Sequence, residues 1–274
     1  MIVDAHFHCW QLARGDYAWL TPVLAPIHRD VRIADWVAEA APLGVQGGVL
    51  VQAAPTEAET EFLLMQADTE AAVLGVVGWV DPLAADAPQR ITRLAARSKL
   101  KALRLMLHDL PDPQWILQPA LEPALRAMAD HDLAFDALVR PVHLGPLLHF
   151  CLRHPTLRVV IDHAAKPDIA AARWQPWADD LARIADQTQA VCKLSGLLTE
   201  AGASPMPQIT RRWAQHVLAR FGAERVLWGS DWPVLEMAST YRAWWTETLA
   251  SLASLSAAER GAVLGGTARR AYRL

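Results

Sequence analysis

Short β-branched apolar segments alternate with longer helical segments along the whole 274-residue sequence. The predicted strands are 2–8, 46–52, 73–80, 100–106, 134–139, 158–163, 190–195 and 225–230. Helical patterns lie between or after them, at 56–72, 87–96, 119–131, 144–154, 177–187, 207–221 and 240–252. Each strand–helix step takes about 32 residues, the size of a βαβ unit. The pattern therefore predicts a parallel sheet covered by helices.

Eight such steps indicate a sheet that closes on itself, an α/β fold of the (β/α)8 TIM-like barrel type in a single domain, 1–274. The alternative is an open doubly wound sheet, which normally carries a Gly-rich phosphate-binding turn after its first strand. That position holds His-Phe-His-Cys-Trp at 6–10 instead. With no linker or low-complexity tract in the chain, we favour one barrel.

Composition excludes several classes of function. The 53% hydrophobic content supplies a core, and the net charge of −3 gives no basic surface for nucleic acid or membranes. The three cysteines, Cys9, Cys151 and Cys192, are too scattered for a disulfide framework. With neither a signal-like opening nor a long apolar run, the sequence predicts a cytoplasmic protein. The sequence is also compatible with a homo-oligomer.

The first predicted strand carries two histidines. Strand alternation predicts that Asp4, His6 and His8 share one face, and a polar set at the carboxyl end of a barrel strand faces the mouth, where barrel enzymes keep their chemistry. Two imidazoles two residues apart can bind one ion. An HxH pair alone is a weak signal for a metal.

Two further candidates fall at strand ends. Asp231 follows strand eight, which barrel closure places beside strand one, and His163 ends strand six. Together with His6 and His8 they form a predicted site for one divalent metal, with zinc expected. The alternatives are that His163 is a core imidazole and that Asp231 caps the following segment.

Four segments carry a family resemblance, namely 4–10, 162–167, 193–196 and 229–233, with a fifth at 266–272. They resemble the signature segments of the amidohydrolase superfamily, in the amidohydrolase-2 branch of sugar-lactone hydrolases such as L-fuconolactonase. The resemblance implies a barrel with His6, His8, His163 and Asp231 in the active site.

The sequence also departs from that family. Strand four ends Leu103-Arg104-Leu105-Met106, and strand five reads Ala-Leu-Val-Arg at 137–140, so neither offers a ligand for a second metal. Many fuconolactonase-like sequences have His where this chain has Leu105. Some members resemble enzymes that work without metal, so we expect at most one ion, dispensable for activity.

A lactonase needs an activated water, a stabiliser for the oxyanion and an acid for the leaving alkoxide. We assign the proton transfers to Asp231, with His163 beside it. Arg104 and Lys166 are candidates for polarising the carbonyl or holding sugar hydroxyls. Arg104 could instead be an interior charge paired with Asp81 or Asp136.

Substrate contacts are predicted from residues that adjoin these segments. His108 and His143 are expected to line the mouth, and Trp10 and Trp232 to contact the substrate, with Trp232 stacking on a sugar ring. The other tryptophans in apparent loops that could form a pocket wall are Trp19, Trp115, Trp174 and Trp177. Lys193, inside an apolar strand, is expected to pair with a carboxylate.

The favoured function is hydrolysis of a sugar (aldono) lactone to the open-chain acid, with an L-fuconolactone-like substrate. A metal-dependent non-oxidative decarboxylase and a non-catalytic barrel for binding or scaffolding are the alternatives. The sequence does not specify the sugar or its ring size.

Overall fold

The computed structural model describes residues 1–203 and 205–274. Its strands form one sheet in chain order, each parallel to the next. They are β1 Ile2–Phe7, β2 Val45–Val51, β3 Val73–Gly78, β4 Leu100–Leu105, β5 Ala134–Ala137, β6 Val159–Ile161, β7 Val191–Leu194 and β8 Val226–Trp228. All eight predicted strands are confirmed.

Helices follow the strands on the outside of the sheet. They are α1 Ile33–Ala40, α2 Glu57–Thr69, α3 Ala87–Ala95, α4 Glu122–Asp130, α5 Leu144–Arg153, α6 Trp177–Gln187, α7 Arg211–Phe221, α8 Tyr241–Ser251, α9 Ala257–Gly261 and α10 Thr267–Ala271. The predicted helices correspond to α2 through α8, and α1 was missed. It has only eight residues, so its apolar positions make barely two turns of a periodic pattern.

The sheet closes where β8 meets β1. The Asp231 N–H donates to the His6 carbonyl at 2.8 Å, and the His8 N–H donates to the Trp232 carbonyl at 2.8 Å. These bonds join the carboxyl ends of the first and last strands. The barrel is therefore confirmed, and the doubly wound alternative is wrong.

The lower half of the barrel interior is apolar and is sealed by the C-terminal helix. Small and β-branched side chains fill it, and Tyr272, which follows α10, lies among them. The buried members are Val3, Ala5, Val49, Val51, Val77, Ala102, Ala134, Val160, Leu227, Ala268 and Ala271. Polar side chains are thereby confined to the upper half, towards the mouth.

A bulge in β1 decides which side chains enter the barrel. Its register against β2 shifts between Asp4 and Phe7. Asp4 accepts hydrogen bonds from Trp36 of α1 and Tyr241 of α8, at 2.9 and 2.8 Å, so it points outward. Simple alternation puts Asp4 and His6 on one face, and that prediction is wrong because the bulge resets the alternation.

In the described part of the chain, no helix combines the length and the apolar character needed to cross a membrane.

Candidate active site

His6 and His8 project from the end of β1 into the mouth. The Nδ1–H of His8 donates to the Val51 carbonyl on β2 at 2.8 Å, since a carbonyl oxygen can only accept. This bond leaves the Nε2 atom of His8 facing the other site residues. That atom lies 3.2 Å from Nε2 of His6 and 3.3 Å from Oδ1 of Asp231.

A left-handed turn after β6 holds His163. Four consecutive residues, 163–166, have positive φ angles of 53°, 49°, 60° and 49°, a conformation that costs roughly 1–2 kcal/mol per non-glycine residue. The Oγ atom of Ser195 lies 2.8 Å from Nδ1 of His163. A Cβ on Gly196 would lie 2.7 Å from the His163 ring. The backbone is thus strained and shaped around this imidazole.

Asp231 faces all three imidazoles. Its Oδ1 atom lies 3.3 Å from Nε2 of His8, 3.6 Å from Nε2 of His6 and 3.8 Å from Nε2 of His163. It follows β8 in a left-handed conformation with φ 59°. The predicted proximity of these four residues is observed.

Lys193 lies below the histidines, fully buried, with three acceptors around its ammonium group. Its Nζ atom is 2.6 Å from Asp136, 2.8 Å from Asp162 and 3.1 Å from Nδ1 of His6. The Tyr272 hydroxyl donates to the same Asp136 oxygen at 2.7 Å. The predicted carboxylate pairing of Lys193 is confirmed, with two partners.

Arg104 is the second buried cation, with 3% of its surface exposed. Its Nη1 atom donates to Asp162 at 3.2 Å, and its Nη2 atom donates to the Gln52 side chain at 3.0 Å and to the Gln52 carbonyl. Pairing with Asp81 or Asp136 is therefore wrong, because Asp162, directly after β6, is the carboxylate that Arg104 contacts.

Both ring nitrogens of His6 face buried cations. Its Nδ1 atom lies 3.1 Å from the Lys193 ammonium, and its Nε2 atom lies 3.4 Å from Nη1 of Arg104 and 3.2 Å from Nε2 of His8. Because lysine and arginine can only donate, these contacts disfavour a protonated His6.

Burial sets the charges at the site. It lowers the pKa of His163 to about 4, and with the nearby Lys193 it lowers the pKa of His6 well below the ordinary value. Burial acts oppositely on Asp231, but His163 and the hydrogen bond with His8 hold the pKa of its carboxyl below the ordinary value. At pH 7 the ionised Asp231 carboxylate therefore faces the neutral imidazoles of His6 and His163.

The donor atoms of His6, His163 and Asp231 lie within 4.8 Å of one another. Imidazole nitrogen and carboxylate oxygen are ligands that zinc prefers, so this set fits one divalent ion, with His8 beside it. It is the one group of this kind found in residues 1–203 and 205–274.

A cavity of about 230 Å³ opens above these residues. It is lined by His8, Trp19, Ala53, Arg104, Met106, His108, Asp109, Leu138, His163, Lys166, Asp231 and Val234. Lys166 forms an ion pair with Glu200. Burial, with Lys166 and Arg104 nearby, lowers the pKa of His108 to about 3. We call this the active-site cavity, and most of the predicted site residues lie on its wall.

Three predicted substrate contacts are corrected. Trp10 is fully buried and donates to the Arg29 carbonyl at 2.8 Å, while Trp232 is 2% exposed and donates to Glu236 at 2.8 Å. His143 is 4% exposed, and its ring accepts a backbone N–H of its own turn at 3.1 Å. None of the three reaches the cavity surface, because neighbouring loops cover them.

The sequence alone did not single out several residues that build the site. Gln52 fixes Arg104, Ser195 contacts His163, and Asp162 links Arg104 to Lys193. Asp162 and Ser195 lie in the family-like segments, which is the signal that could have identified them. Trp19 was named only as a wall candidate, and it does line the cavity.

A family model for amidohydrolases matches residues 3–274. The chain belongs to this family. The matched range contains the whole barrel and the strand-end residues described above.

Two curated amidohydrolase relatives match almost from end to end. An L-fucono-1,5-lactonase of Burkholderia ambifaria is 45% identical over 277 residues, covering 99% of this chain and 95% of the relative. An L-fucono-1,5-lactonase of Burkholderia multivorans is 34% identical over 296 residues, covering 99% of this chain and 96% of the relative.

Crystal structures of an amidohydrolase from Burkholderia multivorans share the fold. One form, with bound zinc, has a TM-score of 0.92 at 32% identity and covers 100% of this chain and 99% of that one. A second form, with bound HEPES, has a TM-score of 0.93 at the same identity and coverage.

Proposed function

We propose that the protein hydrolyses a sugar lactone to the open-chain acid, with L-fucono-1,5-lactone as the favoured substrate. The observation that carries the reaction type is Asp231, an ionised carboxylate on the wall of a small polar cavity beside neutral imidazoles. The choice of lactone rests on the two relatives at 45% and 34% identity.

Asp231 transfers the proton in this mechanism. Its carboxylate accepts a proton from the attacking water, and the resulting carboxylic acid returns that proton to the ring oxygen as the tetrahedral intermediate collapses. Neutral His163, 3.8 Å away, supports the water and keeps Asp231 oriented.

Cations around the cavity bind and polarise the substrate. In this proposal Arg104, held by Asp162 and Gln52, and Lys166, held by Glu200, stabilise the oxyanion or hold hydroxyl groups. His108, neutral at pH 7, offers a further hydrogen-bonding group on the wall.

We propose that the ion is zinc, held by His6, His163 and Asp231 with His8 adjoining. When bound it supplies Lewis acidity and lowers the pKa of water. The zinc in the related crystal structure supports this assignment. Because a lactone ring is already activated towards hydrolysis, we expect part of the activity to persist without the ion.

The experiment that tests this function is a pH-stat screen of aldonolactone stereoisomers, with and without chelator. We expect L-fucono-1,5-lactone to open fastest, and activity that survives chelation would count against a metal-dependent decarboxylase. If no lactone opens above its spontaneous rate, the proposed function is wrong.

A further inference from the structure

A second cavity adjoins the active-site cavity beside strands β1 to β4. Its volume is about 450 Å³, and the loops that follow these four strands line it. The lining residues are Asp16, Ala18, Trp19, Pro55, Thr56, Trp79, Asp81, Pro82, Leu105, Met106, Asp109, Leu110 and Trp115. Trp19, Met106 and Asp109 line both cavities. We call this second cavity the apolar annex.

Most of the annex surface is apolar. Three indoles, Trp19, Trp79 and Trp115, face it together with Leu105 and Leu110. Ligand pockets of 300–1,000 Å³ with this kind of lining are typical of small-molecule sites. The annex therefore has the character of a binding pocket for apolar groups rather than for sugar hydroxyls.

The charges at the annex are all carboxylates. Asp16 is paired with Arg14 at 2.6 Å, and Asp109 with His108 at 3.2 Å. The described residues that line the annex include no lysine, arginine or histidine. An anionic group would find no cationic lining residue, and two of the three carboxylates already have partners, so the mostly apolar surface favours an uncharged ligand.

The wall between the two cavities is part rigid and part adaptable. The Trp19 indole donates to the Ala53 carbonyl at 2.7 Å and packs edge-on against Trp10, with ring centroids 5.6 Å apart. Met106 is an unbranched side chain with several rotatable bonds. Because the two cavities share these lining residues, a ligand in the active-site cavity can extend towards the annex past the flexible Met106 side chain.

We propose that the annex binds an uncharged apolar substituent of the substrate, either an alkyl chain of several carbons or an aromatic ring. The substrate class then extends from bare sugar lactones to lactones with a hydrophobic arm. An apolar cavity of about 150 Å³ can hold benzene, so the annex is large enough. This inference rests on the proposed lactonase function, in which the lactone ring of the same ligand lies in the active-site cavity.

The test uses aldono-1,5-lactones of one stereochemistry with methyl, n-propyl or n-pentyl at C5. Full burial of one methylene corresponds to roughly a fourfold gain. We expect kcat/KM of the wild type to rise at least about tenfold from methyl to n-pentyl. Equal values across the series would overturn the inference.

Variants locate the effect in the annex. Leu110→Glu introduces a charge there, and Ala18→Trp fills the space from an exposed position that carries little folding risk. In both we expect the n-pentyl to methyl ratio of kcat/KM to fall to within about twofold of one. The matched control is Leu83→Glu, because Leu83 is 45% exposed and does not line the annex. A wild-type ratio in Leu110→Glu and Ala18→Trp would contradict the inference.

A binding measurement separates this inference from the lactonase proposal. If the methyl lactone is hydrolysed but the chain length has no effect, the annex proposal alone fails. If no lactone is hydrolysed, the lactonase proposal fails, and tryptophan fluorescence titration with the matching lactams tests the annex. Tighter binding of the n-pentyl lactam, lost in Leu110→Glu, supports it, and equal binding of all lactams overturns it.

Discussion

Lys193 balances the buried charge beneath the active-site cavity. Together with Arg104 it faces Asp136 and Asp162, so two cations meet two carboxylates inside the barrel. Breaking a buried pair leaves an uncompensated charge and costs about 3–5 kcal/mol. We expect Lys193→Met to lower the free energy of unfolding by about that amount in urea titrations.

The control for this variant is Lys101→Met. Lys101 is a partly exposed lysine whose ammonium donates to the Arg273 carbonyl at 3.3 Å and forms no ion pair within residues 1–203 and 205–274. We expect it to change stability by less than about 1 kcal/mol. Equal losses in Lys101→Met and Lys193→Met would show that the buried network contributes little.

The raised pKa of the buried Glu59 carboxyl predicts that the stability of the protein depends on pH. Burial raises the pKa of this carboxyl to about 7, although its oxygens accept the backbone N–H groups of Ala53 and Ala54. The folded state therefore holds a proton that the unfolded state releases near the ordinary value of 4.5. Stability contributed by this group is full below pH 4.5 and is lost as the pH rises to about 7.

The measurement is urea unfolding at pH 5 and pH 8 for wild type and Glu59→Gln. We expect the wild type to lose roughly 3 kcal/mol more than the variant over this interval, since one pKa unit corresponds to about 1.4 kcal/mol. Parallel pH curves for the two proteins would rule out this role for Glu59.

At the scale of elements, the close approach of β6 and β7 positions His163. Gly196 follows β7 with φ 64°, and a Cβ there would overlap the His163 ring at 2.7 Å. We expect Gly196→Ala to displace the imidazole, reducing kcat at least about tenfold and stability by about 1–3 kcal/mol. Lactone hydrolysis and thermal unfolding measure the two effects.

Gly222→Ala separates the clash from the backbone strain. Gly222 has a similar φ of 70° but open space around its Cβ position. We expect this variant to lose stability through strain alone, with kcat within about twofold of wild type. If Gly222→Ala lowers kcat as much as Gly196→Ala does, the contact with His163 is not the cause.

The strands were predictable because buried parallel strands read as continuous apolar runs with regular spacing. The β1 bulge was not, since it arises from pairing with β2 and turns Asp4 outward while keeping His6 inside. The left-handed turn at 163–166 was equally hidden, because its sequence contains no glycine. Local patterns therefore gave the elements, and tertiary pairing decided their irregularities.

The candidate site was likewise predictable where it depends on the strands and unpredictable where it depends on tertiary contacts. Strand ends converge in any closed barrel, so the proximity of His163 and Asp231 followed from the strand assignment alone. The exposure of the loop residues did not follow from the strand assignment, because it depends on partners that are distant in the sequence. Trp10 is covered through Arg29 and Trp232 through Glu236, contacts that no local pattern reveals.

For the whole molecule, barrel closure places donors from β1, β6 and β8 around one point. We expect the protein to bind one zinc ion per chain, because His6, His163 and Asp231 form the one close donor group in the described residues. Elemental analysis after zinc dialysis measures the stoichiometry. His163→Ala should weaken binding, and exposed His149→Ala should not. Two ions per chain, or equal binding in both variants, would contradict this.

The Asp231→Asn variant tests the proposal that Asp231 transfers the proton in lactone hydrolysis. Asparagine keeps the shape but neither accepts nor returns a proton at this site. With L-fucono-1,5-lactone in the pH-stat, we expect kcat to fall about 10²–10⁴-fold with a wild-type far-UV spectrum. A folded Asp231→Asn variant with kcat within about threefold of wild type would contradict the claim.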